Sequence, residues 1–335
     1  MKTSIKTISL LASAALFTLS SLSAVETDPV GYTTVTIKGG NSISLVGIEL
    51  LKAPEFTGAV TGAGASTLTV EGSDFDALLD AETSYFIDVV SGDNAGVNAR
   101  LLSWSGDTLT LSDNLSPAIV VNSDIVEIIP LPTLSELFGV SGEVIEGGTA
   151  LSADLILMSS PESEGLVRVF YSNGNFLDPT PGWRQVGDSG DKGNLPIYFS
   201  DGLFVFKKSA GDVDLVLSGE VKMTSSSVVL EDGYLPYSTI FPSGTTLGNS
   251  GLFDSENPEN SLAGGTVFTA DLILLDSDGD GQTERYFYSS GNFLDPTPGW
   301  RQVGASGDKS GVPLPSAFAV FNRNGAVSVA RSPAY

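Results

Sequence analysis

Residues 174–187, GNFLDPTPGWRQVG, return unchanged at 291–304. The likeness reaches further back. Gly148-Thr149 and Ala153-Asp154-Leu155-Ile156-Leu157 reappear at Gly265-Thr266 and Ala270-Asp271-Leu272-Ile273-Leu274. Arg168, Phe170, Tyr171 and Ser172 reappear at Arg285, Phe287, Tyr288 and Ser289. All these pairs lie 117 residues apart with no gap between them. A constant offset across strand, connection and loop demands two copies of one structural unit.

The units are β. Val35 and Ile37 alternate with Thr34, Thr36 and Lys38, and Ile43, Leu45 and Ile48 follow a Gly-Gly-Asn turn. That period of two is a strand signal. Short strands are predicted at 58–61, 67–71, 84–90, 99–104, 108–111 and 124–129, with turns at 62–64, 91–94 and 105–107. Strands at this spacing suggest a small barrel or sandwich. Further strands are predicted at 153–158, 167–172, 202–207 and 215–221, then at 270–275, 285–289 and 318–321. Residues 76–81 suit one helical turn. Thr133, Glu136 and Gly139 frame a short helix with a capping box. No amphipathic pattern of three turns occurs, so the expected class is all-β, with duplicated β-sandwich or barrel-like domains.

The segment before the second repeat pairs a Gly-x-Val or Gly-x-Thr strand, a Gly turn and an apolar strand with a later Thr-Leu. Residues 31–56 joined to 133–139 match it once 57–130 is skipped. The expected division is therefore 25–56 plus 131–217 as a first domain, 57–130 as a small barrel-like insertion, and 218–335 as a second domain. Three consecutive domains are the alternative.

Lys2 and Lys6 precede an apolar run softened by small residues, which predicts a signal peptide over 1–24 and hence export. Residues 25–335 then carry 14 basic and 40 acidic side chains. That excess argues against nucleic acid and anionic lipid as partners. No further apolar stretch is long enough for a membrane span. The chain has no Cys and no His. Disulfides, thiol nucleophiles, Ser-His-Asp triads and His-bound zinc are all excluded.

Several segments together resemble an uncharacterised family of secreted bacterial β-proteins. They are the signal peptide, Asp28-Pro29-Val30-Gly31-Tyr32, Tyr85-Phe86-Ile87-Asp88 with Ser91-Gly92 and Gly96, the Thr133-to-Gly139 motif, residues 247–252, and the two Gly-Trp-Arg blocks. The likeness spans nearly all of 25–335. It implies export and supplies no catalytic residues. The acidic loop after Leu275 departs from the pattern.

That loop places Asp276, Asp278, Asp280 and Glu284 at positions 1, 3, 5 and 9, with Gly281 at 6 and the Gln282 carbonyl at 7. Oxygen ligands so spaced wrap a hard cation, and the glycine permits the turn. A structural Ca2+ at a hairpin tip is expected, without the acidic residue at position 12 of a full EF-hand. The equivalent loop at 159–167 lacks these ligands. A solvated acidic turn is the plainer reading.

The Trp-Arg blocks have two readings. In one, Trp183 and Trp300 cap cores while Arg184 and Arg301 pair with acids such as Asp178 and Asp295. In the other, the indoles stack on sugars while Asp178, Arg184, Asp295 and Arg301 bond hydroxyls. Large aromatics more often serve cores. The expected role is a non-catalytic structural or surface-interaction protein, with an extracellular polymer or cell-surface partner. A carbohydrate-binding module comes second. A polysaccharide-degrading enzyme comes third, since forty acids single out no carboxylate pair.

Overall fold

The computed structural model describes residues 29–92, 94–115, 118–140, 144–160, 163–176, 178–276, 282–291, 293 and 296–335. The leader read at 1–24 lies outside them. The described chain is all-β, with two one-turn α-helices and one 3-10 turn beside five sheets. Neighbouring strands within the sheets run antiparallel.

Two of these sheets have five strands and matching order. One runs Gly182–Gln185, Ser163–Ser172, Leu155–Ser160, Gly202–Lys207, Ser42–Gly47. The other runs Gly299–Gln302, Glu284–Ser289, Leu272–Leu275, Ala317–Asn322, Gly233–Ser238. Tyr171 faces Trp183 across the first, and Tyr288 faces Trp300 across the second. Each sheet has a smaller companion. Val30–Ile37, Val213–Val221 and Leu50–Leu51 accompany one, and Ser226–Leu230 with Val327–Arg331 the other. Pro236 is accommodated because Gly233–Ser238 is an edge strand, where a missing N–H costs no ladder bond.

The seven-stranded sheet is built only from strands between Phe56 and Pro130. Its outermost strands, Phe56–Ala59 and Gly62–Gly64, are consecutive in the chain. Val60 N–H donates to the Asp124 carbonyl and Thr61 N–H to that of Thr69. The chain thus crosses from one edge of the sheet to the other in two residues, which requires the sheet to curl towards closure. The turn expected at 62–64 is therefore a short strand. Phe56 pairs with Ile128, so the strands that enter and leave this sheet lie side by side.

Three buried clusters follow the sheets. One holds Ile37, Ile156, Trp183 and Val205, another Val60, Phe75, Ile87 and Val126, and the third Phe241, Ile273, Trp300 and Phe318. Phe86 and Ile129 of the curled sheet belong to the third. Lys222 and Asp88, both buried, form an ion pair between that sheet and the chain entering the second half. Burial raises the Asp88 carboxyl, and the Lys222 charge opposes the rise. The helix expected at 133–139 forms over Leu134–Phe138, with both halves of its capping box made.

Candidate functional site

The repeated Ala-Asp is a staple. Buried Asp154 takes the Glu146 N–H at 2.7 Å on one oxygen and the Lys208 N–H at 2.7 Å on the other. Asp271 takes the Ala263 and Arg323 N–H groups at 2.7 and 2.8 Å. Burial works to raise the Asp154 carboxyl, but the Glu146, Ser209 and Lys208 donors outweigh it and hold it below the ordinary range.

The Gly-Trp-Arg segments are strands rather than loops. Trp183 and Trp300 point inward and are 2% and 4% exposed. Tyr171 and Tyr288 meet them edge-on at 5.7 Å, and the Trp183 Nε1–H donates to the Gly139 carbonyl at 2.9 Å. Neither indole has an open face to stack on a sugar. Arg184 instead braces the preceding loop: Nε to Asp178 at 2.8 Å, and the terminal nitrogens to the Trp183 and Thr180 carbonyls, both at 2.9 Å. Arg301 does the same with Trp300 and Thr297 at 3.0 and 2.8 Å, and Asp308 lies 3.7 Å away. Asp295 lies outside the described residues.

The braced loops present a different aromatic. Phe176 and Phe293, 117 residues apart, are each 99% exposed. Gly174 and Gly291 close the loops at φ +81° and +85°, where a Cβ would lie 2.6 Å from the Pro179 or Pro296 carbonyl oxygen. Beside each loop sits the turn after Gly148 or Gly265, which bridge Ser172 and Ser289. These turns carry exposed Leu151 and Phe268, again 117 apart.

Of the calcium-loop residues, Asp276, Gln282 and Glu284 are described, while Asp278 and Asp280 lie outside the described residues. Leu275 pairs with Glu284, so 276–283 joins two paired strands. The matching segment of the first half differs. There the strands continue to Ser160 and Ser163, with a bulge at Ser159/Ser160, so the loop expected at 159–167 is largely strand.

A cleft of about 710 Å³ separates the two halves. The halves meet closely at its side: a Cβ on Gly47 would sit 1.9 Å from the Ser316 carbonyl oxygen. Ser238 donates through N–H to Ser200 at 2.8 Å and through Oγ to Ile48 at 2.6 Å. Phe204 stacks on Tyr234 across the junction at 5.4 Å. Ile43, Leu45, Phe204, Phe206 and Tyr234 line it together with polar Thr33, Thr34, Thr36, Lys38 and Ser44. Glu49 lines it while only 5% exposed. Thr33 Oγ1 donates to Glu49 Oε2 at a long 3.3 Å. Burial pushes the Glu49 carboxyl up to about 7, with the Thr33 bond opposing.

No family model, no curated protein and no solved structure matches this chain.

Sequence reasoning missed both Glu49 and the Phe pair. Glu49 stands in an unremarkable Gly-Ile-Glu-Leu-Leu stretch, and the cleft it lines is built with residues far along the chain, such as Phe204 and Tyr234. For Phe176 and Phe293 a signal was present. In the repeated block the Trp lies within a short strand beside Arg, whereas the Phe sits in the Pro-rich connection before it.

Proposed function

We propose that this is an exported, non-catalytic interaction protein that engages an extracellular polymer or cell surface through its two braced loops. The observation that carries it is the full exposure of Phe176 and Phe293 at equivalent places on loops tied down by Arg184 and Arg301. Large apolar side chains held in water favour contact. Two points of attachment reinforce each other when both engage one surface. Export rests on the leader at 1–24 and on the resemblance to secreted bacterial β-proteins. Within this reading the chain is a duplicated β domain, with 57–130 inserted in the first copy. Ca2+ at Asp276, Asp278, Asp280, Gln282 and Glu284 reinforces the second copy and takes no part in chemistry.

Carbohydrate binding is the second reading. It is favoured by the same exposed rings, with Asp178 and Arg184 nearby, and it no longer involves the Trp side chains. A panel of polysaccharides and envelope preparations, probed with residues 25–335, separates the two. Retention on isolated glycans that free sugars compete away establishes the carbohydrate reading. Retention on envelope alone supports a surface partner. Retention on neither overturns both.

A further inference from the structure

We propose that the cleft between the two halves binds an apolar molecule carrying a protonated amine, with the ammonium group seated on Glu49. This is independent of the loop tips. The cleft has the volume of an organic-ligand site, and Ile43, Leu45, Phe204, Phe206 and Tyr234 form an apolar part of its wall beside Thr33, Thr34, Thr36 and Ser44. That apolar part selects an apolar body. Glu49 selects the polar end. It is a carboxylate almost wholly removed from water, and a buried carboxylate calls for a cation or several strong donors. Among the described residues Glu49 joins no ion pair, and its hydrogen-bond partner is the Thr33 hydroxyl at 3.3 Å. Lys38, which also lines the cleft, is directed to Asp212 at 3.2 Å. An ammonium supplies both the missing charge and up to three donors, whereas a carboxylate ligand meets repulsion.

The test is titration calorimetry of the full chain with octylamine, octanol and octanoate at a pH above 7. Octylamine is expected to bind about tenfold or more tighter than octanol, with octanoate not binding. Glu49→Gln is expected to bring octylamine down to the octanol level, and Ile43→Trp, which fills the mouth, to weaken both. Octanol equalling octylamine, unchanged amine affinity in Glu49→Gln, or no binding by any of the three overturns the proposal. Amine held by the acidic surface at large survives Glu49→Gln, so it counts against. Should Glu49→Gln fail to fold, undiminished amine affinity in Ile43→Trp overturns it instead.

Discussion

Replacing Glu49 by Gln changes the pH dependence of stability in a calculable way. In the unfolded chain the carboxyl ionises near its ordinary 4.5, and in the fold near 7. Between those values the folded protein keeps a proton that the unfolded chain has lost. Folding therefore takes up a proton, and stability falls as pH rises through this window, levelling off above about 7. At about 1.4 kcal/mol per pH unit, ionising Glu49 in place costs about 3 kcal/mol. Glutamine has nearly the same shape and never ionises. Chemical denaturation of both proteins from about pH 4 to pH 8 isolates the effect. Other groups, including Asp201, whose burial raises it to about 6 against the opposing Arg100 charge, titrate in both proteins and cancel in the difference. The two proteins should be close in stability near pH 4. By pH 8 the variant should lead by about 3 kcal/mol. A stability difference that stays flat with pH would refute the burial argument.

Three other perturbations have expected outcomes. Trp183→Ala and Trp300→Ala should each cost about 3–5 kcal/mol, read from melting curves, because each empties an equivalent buried site; unchanged melting would contradict the packing role. Lys222→Met should cost about 3–5 kcal/mol by stranding Asp88, and adding Asp88→Asn should restore much of it, whereas a loss no larger than that of an exposed pair would show the pair to be unimportant. Calorimetry with Ca2+ should reveal a site that Asp278→Ala removes, and the absence of any calcium-dependent heat or melting shift would end the calcium reading.

Much of the fold was legible in local sequence. The alternation at Val35 and Ile37 marks a strand, Thr133 with Glu136 marks the capped helix, and the 117-residue offset anticipates the matching registers of Tyr171 with Trp183 and Tyr288 with Trp300. These features show in short-range pattern or in direct repetition. What was not legible depends on distant neighbours. Gly47 has no evident role until Ser316 packs against it, and Gly233–Ser238 is hidden as a strand by Pro236 until it is seen at a sheet edge. Glu49 becomes unusual only once the cleft it lines is assembled from both halves. The roles of Phe and Trp within one repeated block were likewise decided by strand pairing, which turns Trp183 inward and leaves Phe176 in the connection.

The most direct measurement is co-sedimentation of residues 25–335 with envelope preparations from the producing cells, comparing the natural protein with Phe176→Ser/Phe293→Ser. Both side chains are wholly exposed, so the double variant should melt with the natural protein, within about 0.5 kcal/mol. The natural protein should sediment with the envelope and the double variant should stay in solution. Equal sedimentation of the two folded proteins would contradict a contact role for the paired loops.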